Sequence, residues 1–185
     1  VLCQLIAGMH EADGKVGLPL FYENVEEISE EERLEINQLP YDDQELLSSA
    51  GNPPSLFGEF GYSAMERVSV RPSLDVNGLY SGFIGSGSKT VLPSKAMAKI
   101  SMRLVPNQDP AEMSTGLRKY LSDNAPDTVK WDLKELAHAS PVVVNRESIG
   151  VRAAVDAVES VFGVKPVFMR SGGTVPVVGM LSDML

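Results

Sequence analysis

Apolar positions at Leu2, Leu5, Ile6 and Met9 recur at helical spacing and stop at Asp13-Gly14, a turn signal, so a short helix is predicted first. Ser29-Glu30-Glu31-Glu32 carries the hydroxyl-to-glutamate spacing of a capping box, which predicts a second helix reaching about Leu39 before Pro40 stops it. Residues 41–72 hold no sustained period beyond a short helix near Asp43–Ala50 and a break at Gly51-Asn52-Pro53-Pro54. From Leu74 the period becomes two. Leu74, Val76 and then Leu79–Ile84 form one extended piece, and a Gly85–Ser88 loop leads to Thr90–Leu92. Over residues 97–105, Ala98, Ile100, Met102 and Leu104 share one face while Lys99, Ser101 and Arg103 share the other. Asp109-Pro110-Ala111-Glu112 opens a helix by cap, first-turn proline and capping box, with Met113, Leu117, Tyr120 and Leu121 as its buried stripe and Pro126 at its end. Residues 128–136 alternate again, Val129, Trp131 and Leu133 against Lys130, Asp132 and Lys134.

Helix, strands, helix and strand make most of a βαββαβ plan. The predicted fold class is therefore α+β: a ferredoxin-like antiparallel sheet with two helices on one face, its first strand falling before Val1. After Pro141 the character changes. A helix over 147–162, ended by Gly163, precedes a short buried-type strand at Pro166-Val167-Phe168-Met169, which reads as an αβ piece of an α/β domain. The predicted division is 1–143 and 144–185, with the acidic stretch of about 23–72 inserted into the first unit.

Composition narrows the function. The 185 residues carry 16 Lys and Arg against 25 Asp and Glu, a net charge of −9, which argues against nucleic acid as a partner. No apolar run approaches the length of a membrane helix, so no membrane is expected. The acidity between Glu23 and Glu45 lacks EF-hand spacing and reads as a solvated face. One cysteine, Cys3, excludes an internal disulfide and fits a reducing compartment, so cytoplasm is expected; on its helical stripe it reads as a buried small hydrophobe.

Candidate chemistry centres on Arg103. Extending the 128–136 period puts His138 on that segment's polar face, so if both strands lie in one sheet the guanidinium and imidazole emerge together. An arginine fork beside an imidazole suits a carboxylate. The alternative is that Arg103 pairs with an acid on a neighbouring strand and His138 is simply exposed. Thr90 and Thr174 each follow a glycine-rich turn that would let a ligand approach backbone N–H groups, although such turns are often only turns. Other chemistries fail on spacing. The glycines around Gly85 lack the third glycine of a dinucleotide fingerprint and the gap of a P-loop, two histidines make no HExxH, and no serine sits in a G-x-S-x-G elbow.

Three blocks taken in order, Gly87-Ser88-Lys89-Thr90-Val91-Leu92-Pro93, Ala98-Lys99-Ile100-Ser101-Met102-Arg103-Leu104-Val105-Pro106 and Arg170-Ser171-Gly172-Gly173-Thr174-Val175-Pro176-Val177, closely resemble a dizinc metallopeptidase family. That family includes carnosinase-type and cytosolic nonspecific dipeptidases, aminoacylase, acetylornithine deacetylase and succinyl-diaminopimelate desuccinylase. Ser171 stands where glutamate is usual, and His138-Ala139-Ser140 where the family has His-Gly-Gly. The resemblance implies a two-domain enzyme with two zinc ions in a catalytic domain. A βαββαβ lid would form a homodimer through its sheet edge and close over the neighbouring site. It further implies that Thr90, Arg103 and His138 contact substrate, the last two at its terminal carboxylate, and that Gly173 and Thr174 line the same pocket. The family's metal ligands are not found in this chain, so no metal is expected in it and the polypeptide alone is expected to be hydrolytically inactive. The expected activity of the parent is hydrolysis of a small peptide with a free carboxylate. The alternatives are deacylation of an N-acyl amino acid or a noncatalytic ferredoxin-like interaction role.

Overall fold

In a computed structural model, which describes residues 1–172 and 175–184, the chain is α+β. Its described elements are α1 (Leu2–Ala7), α2 (Glu30–Asn37), α3 (Asp43–Ser49), α4 (Ala64–Ser69), β1 (Ser73–Ser81), β2 (Ala96–Arg103), α5 (Pro110–Asn124), α6 (Ile149–Phe162) and α7 (Pro176–Met184). β1 and β2 pair antiparallel from Ser73 opposite Arg103 to Ser81 opposite Ala96, and Asn77 is the extra residue of a bulge between Val76 and Gly78.

One side of this hairpin carries the core. Leu5 and Met9 from α1 and its C-terminal turn, Val16, Leu18 and Phe21 from the following loop, Leu74 from β1, and Met113, Leu117 and Tyr120 from α5 form one buried cluster. Ile100 and Met102 of β2 and Leu104 just after it pack against it, as their alternation requires. Burying each large member stabilises the fold by about 1.5–3 kcal/mol. α5 starts as its sequence dictates: the Asp109 carboxylate accepts the Ala111 N–H at 2.8 Å, with Pro110 in the first turn. Polar ties then lock the cluster. The Tyr120 hydroxyl donates to the Leu5 carbonyl at 2.8 Å, and the buried Gln108 amide accepts from Val105 N–H and donates to the Phe21 carbonyl.

Several expectations need correction. Residues 128–136 form no strand, and of the predicted apolar face Val129 and Leu133 are partly covered while Trp131 is exposed. The side chains of α5 capture this segment: Arg118 donates to the Leu133 carbonyl and to Glu135, and Ser114 donates to Glu135. A carbonyl held this way is lost to a sheet ladder. Thr90–Leu92 and Pro166–Met169 likewise lie outside any ladder, so the described sheet has two strands. Cys3 is exposed, on the side of α1 away from Leu5. The acidic stretch is also more than a solvated face. Glu32 meets Arg170 at 2.6 Å, Glu35 meets Arg146 at 2.7 Å, and Glu66, which also closes the α4 capping box with Ser63, meets Arg33 at 3.2 Å. α6 ends at Gly163 in the left-handed conformation, as predicted, yet Ile149, Val161 and Phe162 remain exposed.

Candidate functional site

A cleft of about 600 Å³ lies where the Ser73–Arg103 end of the hairpin meets α4 and the segment before residue 173. That volume is in the range of small-molecule sites. Arg67 and Val68 of α4, Arg71 just after it, Ser73 and Asp75 of β1, Arg103 of β2, Phe57–Glu59, and Ser171 and Gly172 line it.

Strand parity delivers Arg103. From Ala98 onward β2 alternates, with Lys99, Ser101 and Arg103 exposed and Ala98, Ile100 and Met102 partly covered. The Arg103 guanidinium donates from Nη1 to the Gly172 carbonyl at 3.1 Å. Among the described residues it forms no ion pair, so the reading in which a neighbouring carboxylate neutralises it does not hold here. Four of its five N–H donors stay available.

Arg71 has the opposite character. Its side chain is buried, donates to both Glu59 oxygens at 2.9 and 2.7 Å, and lies 4.4 Å from the Tyr62 ring centroid and 5.2 Å from that of Tyr22. Burial alone would lower its pKa, but the Glu59 hydrogen bond and charge outweigh it and the net shift is upward. The Tyr62 hydroxyl donates to Glu27 at 2.5 Å. Burial first, then that hydrogen bond, push its pKa up to about 12 against an opposing pull from Arg71. Arg71 is thus a consumed charge that builds the cleft wall.

Arg67 is also present. Its stem lies against Gly58, whose φ is +143°. A β-carbon at Gly58 would sit 2.9 Å from Arg67 Cδ and 3.4 Å from Nε and Nη1.

The other predicted site residues fall elsewhere. Thr90 is exposed in the loop joining β1 to β2, at the hairpin end opposite Arg103. The loop holding it leaves the sheet at Ser81 and Ala96, the end of the ladder away from Arg103, and Thr90 does not line the cleft. His138 is exposed beyond Glu135 and does not line the cleft. Hydrogen bonds from Ser114 and Arg118 hold the Glu135 carboxyl below its ordinary pKa, and the charge of His138 adds a smaller pull the same way. The single-sheet argument that joined Arg103 to His138 therefore fails, because the His138 segment is not in the sheet. Gly173 and Thr174 lie outside the described residues, although Gly172, their predecessor in sequence, is at Arg103.

Arg67, Arg71 and Glu59 were missed from sequence. The available signal was a charge inside an apolar run, Val68-Ser69-Val70-Arg71-Pro72, and a lone acid between glycines and aromatics in Phe57-Gly58-Glu59-Phe60-Gly61. Among the described residues, no group of three His, Cys, Asp or Glu side chains could hold a metal ion, and no helix is long and apolar enough to cross a membrane.

Comparison with known families decides the affiliation: the M20 peptidase dimerisation domain matches residues 1–129. The chain belongs to that family. Across its whole length the M20 chain is 28% identical to the Cys-Gly metallodipeptidase DUG1 of Saccharomyces cerevisiae, covering 39% of that protein. It is 26% identical to the Beta-Ala-His dipeptidase of Rattus norvegicus, with 98% of this chain and 37% of that protein aligned. Among solved structures, the M20 metallo-carboxypeptidase Sso-CP2 of Sulfolobus solfataricus superposes with a TM-score of 0.79 at 32% identity, over 99% of this chain and 41% of that one. Human carnosine dipeptidase 1 shares the fold, with a TM-score of 0.78 at 24% identity over 99% of this chain and 39% of that one. The M20 chain thus spans about two fifths of the length of these relatives.

Proposed function

We propose that this M20 chain is the lid and dimerisation part of a zinc-dependent hydrolase that cleaves small peptides bearing a free carboxylate. The observation that carries this reading is Arg103, a guanidinium with no counter-charge among the described residues, lining a cleft of about 600 Å³ beside Gly172. A planar carboxylate would take two of its remaining N–H groups and fix the substrate's orientation. The zinc ions would be held in the catalytic part of the enzyme and would supply Lewis-acid chemistry there. This chain's part is to bind and orient.

The division at about 143/144, the insertion over 23–72, a homodimer and a cytoplasmic setting complete the proposal. β1 has β2 on one side and no described strand on the other, and Leu79, Tyr80 and Met97 near the hairpin tip are exposed, which suits pairing with a second copy. In that assembly Thr90 would serve the second copy's site, consistent with its distance from Arg103, and His138, Gly173 and Thr174 would complete the pocket once the catalytic part closes. The metallodipeptidases among the relatives favour peptide hydrolysis over deacylation.

The test is turnover by the full-length protein that carries this chain. A free-acid dipeptide should be cleaved, the activity lost on chelation and restored by zinc. Its C-terminal amide and an N-acetyl amino acid should be poor substrates. Cleavage of the amide as efficiently as the free acid would contradict the proposal.

A further inference from the structure

Resting on that reading, we infer that Arg67 is a specificity-determining residue of the same cleft and recognises a second anionic group on the substrate: an acidic side chain on the residue whose terminal carboxylate Arg103 holds. Three arginines line the cleft. Glu59 neutralises Arg71 through two hydrogen bonds, and Asp75, the other carboxylate of the lining, accepts from the Ser73 hydroxyl at 3.0 Å. Arg67 and Arg103 make no ion pair with any described residue, and the three arginines of the lining set against Glu59 and Asp75 leave one positive charge in excess, in a chain of net charge −9. A concave site with a net positive charge concentrates anions.

Arg67 is held, not merely nearby. Its Nε is shut off from solvent and has no hydrogen-bond partner, and its stem lies on Gly58, where an added β-carbon would come within 2.9 Å of its Cδ. A desolvated guanidinium nitrogen without a partner costs stability in the empty cleft. An anion seated on the same guanidinium offsets that cost through charge-assisted hydrogen bonds. A C-terminal Asp or Glu presents two carboxylates on one residue, which matches two unpaired guanidinium groups in one cleft. A neutral residue satisfies Arg103 alone.

The experiment compares kcat/KM for Ala-Glu and its neutral isostere Ala-Gln in the full-length protein. Wild type should prefer Ala-Glu, and Arg67→Gln should lower Ala-Glu turnover about tenfold while leaving Ala-Gln within about twofold. Ala-Gln turnover thereby reports an intact fold. Gly58→Ala, which displaces the Arg67 stem, should erase the same preference, and Arg67→Lys should restore part of it. Arg103→Gln should depress both substrates. No preference in the wild type, or an equal loss on both substrates in Arg67→Gln, overturns the role of Arg67. An Arg103→Gln variant that keeps full activity on both overturns instead the reading beneath it, and the inference falls with it.

Discussion

Arg71 and Glu59 close a two-point ion pair in which each side chain is only 5% exposed. The pair ties the acidic stretch to the start of β1, and the rings of Tyr22 and Tyr62 cover the guanidinium. Removing Glu59 leaves the buried Arg71 with only a 3.8 Å contact to the exposed Glu27 carboxylate and no hydrogen-bonded counter-charge, which costs more than the pair itself contributes. Glu59→Gln should therefore destabilise the protein by about 3–5 kcal/mol in denaturant unfolding. A loss below about 1 kcal/mol, as for a surface pair, would show the pair to be solvated.

Gly116 sits inside α5, where helix propensity alone favours alanine by about 1 kcal/mol. The packing reverses that sign. A β-carbon there would fall 2.1 Å from the Pro19 carbonyl oxygen, a backbone atom that can move only with its loop. Gly116→Ala should lower stability by about 1–3 kcal/mol, read as a drop in denaturation midpoint at unchanged m-value. A stabilised variant would mean that α5 does not approach this loop.

Tyr62 supplies a pH signature for the same region. Its pKa is raised from 10.0 to about 12 by burial and by the hydrogen bond to Glu27. A raised folded-state value means that its stabilising contribution is complete below the unfolded value near 10 and is lost as pH rises through about 12. Burial also raises Tyr22, Tyr41 and Tyr120, so absorbance titration of tyrosinate should show a late component near pH 12 that Tyr62→Phe removes while the others remain. Ordinary titration of Tyr62 in the folded protein would refute its burial together with the Tyr62–Glu27 contact.

Local rules read the hairpin and α5 correctly for stated reasons. Strict alternation from Ala98 to Leu104 fixes which face of β2 meets the core, and Asp109-Pro110 can do little but start a helix. Parity also brought Arg103 out on the open side. The same alternation over 128–136 misled, because a period of two does not report what covers a residue, and Trp131 of its apolar side stays exposed. There the cover is α5, and Arg118 occupies a carbonyl that a ladder would need. The role of the acidic stretch was hidden for a different reason. Glu32 and Arg170, or Glu35 and Arg146, are more than 100 positions apart, and nothing in either local sequence names its partner. Arg67 and Gly58 share that difficulty on a smaller scale, since the glycine is legible only once the arginine lying on it is seen.

The carboxylate role of Arg103 is tested most directly by Arg103→Gln in the full-length protein, assayed on a dipeptide and on its C-terminal amide. If the guanidinium reads the terminal carboxylate, kcat/KM for the free acid falls about 10- to 100-fold while the amide changes little. Equal losses on the two substrates would contradict it.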